Sequence, residues 1–167
     1  MNAPFVRIDD RLVHGQVLVA WATSFEPQRI LLASDEVAAD PERSALYGSL
    51  GAGDYEIAVM QVDAAAAALR ESEHRGPRTF AVVGSAADAR RLVELGAPVA
   101  RLNLGGLHRG QEKRRLLDYV FLSAGDATEL RALLDRGVEL EARDLPGSRG
   151  VRVDRAALEG VWPERPA

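Results

Sequence analysis

The stretch FVRIDDRLVHGQ, residues 5–16, decides the fold because a short apolar strand passes here into a helix. Residues 5–8 have the apolar, β-branched character of a buried strand. Residues 13–21 carry apolar side chains at helical spacing, which predicts the first helix. A strand that turns directly into a helix is the repeating unit of sheets covered by helices.

The same alternation continues along the chain and predicts the rest of the architecture. Further strands are predicted at 29–33, 56–62, 79–83, 99–104, 119–123 and 138–145, and further helices at 41–50, 63–73, 85–95, 126–137 and 153–160. Asp40, Asp63 and Ser85 are placed to cap three of these helices. The pattern predicts an α/β fold with an open, mostly parallel twisted sheet of about seven strands and helices on both faces.

Length and composition indicate one ordinary globular domain spanning residues 1–167. The 21 basic and 25 acidic residues are interspersed and leave a net charge of −4, so no basic field is available for nucleic acid. The chain has no cysteine, which excludes a disulfide framework, a thiolate metal site and a cysteine nucleophile. No signal peptide and no apolar segment of about 20 residues is visible, so we expect a cytoplasmic protein.

The loop after the first strand holds the chemistry. His14 is a good nucleophile when its imidazole is neutral, and Arg11 can hold two oxygens of a phosphoryl group with its guanidinium fork. Gly15 lets the backbone approach an anion, and Gln16 stands at the helix start, where N–H groups point at a ligand. Asp9 or Asp10 can accept a hydrogen bond from one ring nitrogen and leave the other free to attack.

Other roles for these residues are open at this stage. His14 can be a helix cap or a surface residue, and Asp9, Asp10 and His14 together can be considered as metal ligands. We predict no metal, because two consecutive carboxylates do not naturally converge.

A second loop, after the predicted fifth strand, borders His14 if that strand lies beside the first. Gly105 and Gly106 would then bring backbone N–H groups to the phosphoryl oxygens, or they serve only a tight turn. His108, which follows, is either a surface residue or a partner of the site.

The segment RIDDRLVHGQV, residues 7–17, closely resembles the N-terminal signature of the IIB components of the mannose/fructose/sorbose class of the bacterial phosphotransferase system. Residues 34–40, the Gly-Ala-Pro-Val at 96–99, the Leu-Asn-Leu-Gly-Gly-Leu at 102–107 and the last strand before Pro146 are also similar to that family. The resemblance covers roughly residues 4–147.

The resemblance implies a phosphocarrier that works without a metal or organic cofactor. The family's phosphorylated histidine falls on His14, with Nδ1 as the expected atom, and its loop arginine falls on Arg11. Among the loop carboxylates, the family pattern favours Asp10 as the residue that orients the imidazole. The activity implied is that of a protein-phosphohistidine–sugar phosphotransferase in sugar transport.

The partners follow from the same resemblance. A IIA component donates the phosphoryl group, the membrane IIC and IID components hold the sugar that receives it, and self-association is plausible. Two alternatives are kept: a regulatory phospho-acceptor that modifies no sugar, and an anion- or nucleotide-binding module in which His14 only caps the helix. The absence of a Gly-x-Gly-x-x-Gly motif after the first strand counts against a dinucleotide.

Overall fold

A computed structural model describes residues 3–51 and 53–164 of the chain. The strands are β1 (Phe5–Ile8), β2 (Arg29–Ala33), β3 (Glu56–Met60), β4 (Thr79–Val83), β5 (Arg101–Leu104), β6 (Arg114–Leu117), β7 (Val120–Leu122), β8 (Glu139–Ala142) and β9 (Val151–Arg152). The helices are a π-helix (Gln16–Ala22), α1 (Thr23–Phe25), α2 (Asp35–Ala38), α3 (Pro41–Ser49), α4 (Val62–Arg75), α5 (Ala86–Glu94), α6 (Ala124–Asp135) and α7 (Arg155–Val161).

The main sheet has seven strands in the order β3-β2-β4-β1-β5-β8-β9. All neighbours pair in parallel except β9, which runs antiparallel to β8. The predicted α/β fold with a mostly parallel sheet is confirmed. Because β1 lies between β4 and β5, the loops that follow β1 and β5 meet at one edge of the sheet, where ligands of such folds bind.

Apolar residues cover both faces of the sheet. On one face, Val6 and Ile8 of β1 are fully buried in a cluster with side chains of α4, α5 and α6. On the other, Phe80 is buried with Val17 and Trp21 of the π-helix. Helices therefore lie on both faces, as the alternating pattern predicts. No helix in the described part of the chain is long and apolar enough to cross a membrane.

The topology corrects one predicted strand and adds two strands that the sequence pattern did not predict. The predicted strand 119–123 is β7, and it pairs with β6 in a separate two-stranded hairpin instead of joining the main sheet. The seventh position is taken by β9, which has two residues and is too short to leave a hydrophobic pattern. β6 was missed because it begins with two exposed arginines, Arg114 and Arg115.

The helix starts agree in part. Asp40 caps α3 by accepting the N–H groups of Glu42 and Arg43, and Ser85 caps α5. Asp63 does not cap α4, because that helix already begins at Val62 after Gln61. The predicted first helix begins only at Gln16 and is a π-helix that becomes α-helical at Thr23.

Candidate active site

The loop that leaves β1 is fixed between its two neighbouring strands. The backbone N–H of Asp9 donates to the carbonyl of Val83 (2.9 Å), and that of Asp10 donates to the carbonyl of Gly106 (2.8 Å). Leu12 then adopts a left-handed conformation with φ of 61°, which is uncommon for a residue with a side chain. Such a conformation persists only where the surroundings over-determine it, and it delays the helix start until after His14.

Asp9 is the centre of the site and is fully buried. Its Oδ2 accepts from Arg7 Nη2 (3.0 Å) and Nε (3.3 Å) and from the N–H of Gly106 (3.2 Å). Its Oδ1 accepts from the N–H of Arg11 (3.2 Å). Burial opposes ionisation, but the contacts with His14, Arg7 and Gly106 outweigh it and hold the pKa of Asp9 below its ordinary value.

The His14 ring is held by a different partner at each nitrogen. Nε2 lies 3.1 Å from Oδ2 of Asp9. Its N–H is imperfectly aligned for a hydrogen bond, yet this carboxylate is its nearest charged group among the described residues. Nδ1 accepts the backbone N–H of Gln16 at 3.3 Å. These contacts favour the tautomer with the proton on Nε2 and the lone pair on Nδ1.

Arg11, Gly15 and Gln16 are the exposed residues next to His14 in this loop. The Arg11 side chain is 43% exposed, its Nη2 donates to Oε1 of Gln16 (3.0 Å), and its Nε lies 3.6 Å from Oδ1 of Asp9. A Cβ added at Gly15 would meet no atom within 4 Å, so open space lies above the helix start. An anion approaching His14 would therefore find a guanidinium and a helix N-terminus with room in front of them.

Asp10 does not contact His14, and the prediction that it orients the imidazole is wrong for this structure. Its carboxylate accepts the backbone N–H of His108 (2.7 Å) and lies 2.5 Å from Nδ1 of that ring. Asp9 contacts both Arg7 and His14, while Asp10, the next residue, turns to the loop after β5. This separation leaves Asp9 and Asp10 with different partners, so they do not converge with His14 on one point. His108 thus borders the site as the partner of Asp10.

Gly105 and Gly106 lie beside the loop, as predicted for a β5 adjacent to β1, but their N–H groups are already used. Gly105 donates to the carbonyl of Ile8 (2.8 Å), and Gly106 donates to Asp9. The expectation that these N–H groups hold phosphate is therefore corrected. Gly105 is required for another reason: a Cβ there would lie 2.2 Å from Cζ of Arg7.

Arg7 and Asn103 are parts of the site that the sequence did not single out. Arg7 is 1% exposed, and its Nη1 donates to Oδ1 of Asn103 (2.5 Å) and to the carbonyl of Arg143 (2.9 Å). A signal was present, because an arginine inside an otherwise apolar strand must find buried partners when the strand is central. Among the described residues, no group of three or more His, Asp or Glu side chains is placed to hold a metal ion.

Comparison with known proteins identifies the family. The model of the phosphotransferase system sorbose subfamily IIB component matches residues 3–158. The chain belongs to this family. The resemblance seen in the sequence is thereby confirmed, and the protein is a IIB component of a sugar-specific phosphotransferase system.

Relatives agree over most of the chain. The fructose-specific EIIB component of Bacillus subtilis is 31% identical over 146 residues, which is 87% of this chain and 90% of the relative. The mannose-specific EIIAB component of Escherichia coli is 34% identical over 137 residues, which is 82% of this chain but only 42% of that longer protein. The crystal structure of the IIBSor domain of the sorbose permease from Klebsiella pneumoniae superposes with a TM-score of 0.82 at 29% identity, covering 90% of this chain and 93% of that one.

Membership sets the general activity. IIB components of this system are sugar phosphotransferases, and they work with a IIA component and with membrane IIC and IID components. The site at the end of β1 lies within the matched residues and offers a histidine in a setting suited to an anion.

Proposed function

We propose that His14 accepts a phosphoryl group from a IIA component on Nδ1 and passes it to a sugar that membrane IIC and IID components import. The observation that carries this proposal is the asymmetry of the imidazole. Nε2 lies against the buried Asp9, whereas Nδ1 accepts only a long bond from the Gln16 N–H on the open side. A ring held in this way presents its lone pair to an incoming phosphorus atom.

The first transfer forms one bond and breaks one. The Nδ1 lone pair of neutral His14 attacks the phosphorus of a phosphohistidine on the IIA component. The phosphorus–nitrogen bond of the donor breaks, and its electron pair returns to the donor imidazole. His14 gains positive character in its ring, which Asp9 offsets through Nε2.

Arg11 and the helix start act on the transferring group itself. The transition state is loose, with charge spread over three equatorial oxygens, and Arg11 holds two of these oxygens with its fork. The Gln16 N–H, released from Nδ1 when the new bond forms, donates to a phosphoryl oxygen. Gly15 leaves the space that these oxygens need.

The second transfer reverses the roles. A sugar hydroxyl attacks the phosphorus, the bond to Nδ1 breaks, and its electron pair returns to the His14 ring. The hydroxyl proton leaves to a base or to water in the membrane component. Neutral His14 is restored, and no cofactor takes part. We propose that this cycle runs on the cytoplasmic side of the membrane and that the protein acts as a protein-phosphohistidine–sugar phosphotransferase.

The mannose relative supports the choice of donor, since its name, EIIAB, joins a IIA and a IIB component in one protein. We propose that the same kind of donor reaches the exposed rim formed by Arg11, Gly15 and Gln16.

Phosphoryl transfer from phosphoenolpyruvate through enzyme I, HPr and a IIA component tests the first step. Wild type should gain an acid-labile, base-stable phosphate. His14→Ala should gain none, and His108→Ala, a matched histidine at the edge of the same site, should be labelled as wild type. Equal labelling of wild type and His14→Ala would refute the assignment.

The second step is tested with membranes that contain the cognate IIC and IID components. Adding sugar should remove phosphate from labelled His14 and yield an equal amount of sugar phosphate. Label that stays on the protein for every sugar tried would instead favour the regulatory phospho-acceptor.

A further inference from the structure

A buried guanidinium lies beneath the histidine, and the proposed transfer steps do not use it. Arg7 is 1% exposed and contacts Oδ2 of Asp9 through Nη2 and Nε. Its other bonds go to Asn103 on β5 and to the carbonyls of Arg143 (2.9 Å) and Asp144 (3.3 Å), which follow β8. The guanidinium is thus placed by two strands that carry no part of the His14 loop.

We propose that Arg7 is a positioning residue that balances the charge of Asp9 and fixes this carboxylate against Nε2 of His14, so that Nδ1 stays unprotonated and remains the nitrogen that reacts. This inference deepens the function proposed above and rests on it for its catalytic meaning. Its structural content, the choice of ring tautomer, stands apart from any partner protein.

The first argument is geometric. Arg7 is attached to both ends of the segment that carries His14. At the beginning of the segment it binds Asp9, and at the end its guanidinium stacks over the ring of Trp21 with Cζ 4.9 Å from the ring centroid. The Trp21 indole N–H donates to the Asp144 carbonyl at 2.9 Å. The same carbonyl accepts from Arg7 at 3.3 Å. Removing Arg7 would take away one contact at each end of the segment.

The second argument is electrostatic. The charged or titratable groups facing Asp9 are Arg7, Arg11 and His14. Arg11 is 43% exposed and is screened by water, so Arg7 is the only permanent cation in contact with the carboxylate that is itself buried, among the described residues. Without it, the buried carboxylate would draw a solvent proton onto Nδ1 of His14. A doubly protonated ring has no lone pair with which to attack phosphorus.

The experiment uses the whole protein without partners, and then with them. Histidine ring nitrogens are followed by 15N NMR across pH in wild type, Arg7→Met, Arg7→Gln and Arg7→Lys. Arg131→Met is the matched control, since Arg131 is a second buried arginine (7% exposed) whose partners are the Trp162 carbonyl, Glu159 and Glu164. Transfer from phospho-IIA is then timed over the same pH range.

Wild type should show the Nε2-protonated ring. Arg7→Met and Arg7→Gln should lose this preference. The acid limb of their pH–rate profile should move to higher pH by about one pH unit or more, because a cation within about 4–6 Å of a carboxylate has effects of this size. Arg7→Lys should keep the wild-type midpoint but transfer at least about threefold more slowly, because one ammonium cannot replace a two-nitrogen contact. Arg131→Met should change the free energy of unfolding without changing the tautomer of the His14 ring.

An unchanged His14 tautomer and an unchanged pH midpoint in a folded neutral variant would overturn the proposal. If neither neutral variant folds, Arg7→Lys decides, and a wild-type rate in that variant would overturn it. Should wild-type His14 take no phosphate, the proposed function fails, but the ring measurement still tests the role of Arg7.

Discussion

Two groups of ion pairs lie at the same edge of the sheet and differ in their exposure to water. In the first, the buried pair Arg7–Asp9, the side chains are 1% and 0% exposed. In the second, the surface cluster, Arg91 binds Asp35 (2.5 Å) and Asp63 (2.6 Å), and all three side chains are 43–59% exposed. Asp9 follows β1, and Asp35 lies just beyond β2, so both carboxylates come from equivalent places in the fold.

Burial, and not the number of charges, distinguishes Asp9, which we propose orients His14, from the carboxylates of the surface cluster. The pKa of Asp35 is lowered by the Val62 N–H and by Arg91, and the pKa of Asp9 is also lowered, although burial opposes it. Water screens the charges of the surface cluster, so these ion pairs contribute little to the stability of the fold. Asp9 is buried, has a fixed orientation and contacts the His14 imidazole, so it can set the orientation and the tautomer of that ring.

The largest expected difference between the buried pair and the surface cluster is in the rate of phosphoryl transfer. Asp9→Asn keeps the shape of the side chain but removes the negative charge that lies against Nε2 and replaces one acceptor oxygen by an NH2 group, so we expect acceptance from phospho-IIA to fall by about 10²- to 10⁴-fold. Asp35→Asn should stay within about twofold of wild type. Rapid-quench timing of labelled phosphate on the protein measures both. Similar rates for the two variants would show that burial of the carboxylate does not matter to transfer.

The free energy of unfolding should also depend more on the buried pair than on the surface cluster. Asp9→Asn leaves the Arg7 guanidinium buried without its counter-charge, and breaking a buried pair costs about 3–5 kcal/mol of unfolding free energy. Asp35→Asn should leave the urea midpoint nearly unchanged, because Arg91 remains in water. Exposed ion pairs contribute about 1 kcal/mol or less. If Asp9→Asn lost no more than this, the Arg7–Asp9 pair would contribute no more to stability than a surface pair does.

The sequence predicted the order of strands and helices because hydrophobic alternation is a local signal. It predicted that the loop after the fifth strand borders His14 if that strand lies beside the first, and the structure places β5 beside β1. The residues left Asp9 and Asp10 open for the orienting role, and the family resemblance favoured Asp10. Which of two neighbouring carboxylates turns inward depends on the path of the loop. That path includes the left-handed Leu12, which no local pattern announces.

The remaining errors come from contacts distant in sequence. The use of the Gly105 and Gly106 N–H groups by Ile8 and Asp9 is decided by strand pairing. The partners of Arg7 outside the His14 segment lie 96 to 137 residues away. Periodicity contains no information about such contacts. The π-helix was missed for a related reason, since its apolar spacing over a few residues resembles that of an α-helix.

Glycine substitution tests how tightly Arg7 is enclosed. A Cβ at Gly105 would lie 2.2–2.4 Å from three guanidinium atoms of Arg7, so Gly105→Ala must displace a buried charge and should cost about 1–3 kcal/mol, as overpacked cores do. Gly147→Ala is the matched control, because a Cβ there meets nothing within 4 Å. Chemical unfolding of both variants gives the difference. Equal stabilities would show that Arg7 has room to move.

The smallest expected effect is the response of stability to acid. The pKa of Asp9 in the folded protein is below its ordinary value of 3.8. A group of this kind contributes stability that is fully present above the unfolded pKa and is lost as the pH falls through the folded one. The stability gap between wild type and Asp9→Asn should therefore be constant above about pH 5 and should narrow below about pH 4.

The surface cluster provides the contrast for this last measurement. Asp35 titrates in the same direction, since its pKa is also lowered, but its partner Arg91 is in water. In about 0.5 M salt the Debye length falls to a few ångströms, so the part of the Asp35 acid response that Arg91 supplies should shrink there, while the response that Asp9→Asn removes should persist. Urea unfolding at pH 3 to 7, at low and high salt, distinguishes the two. If salt abolished both responses alike, the carboxylate of Asp9 would be in contact with solvent, and the control of His14 would have to come from another group.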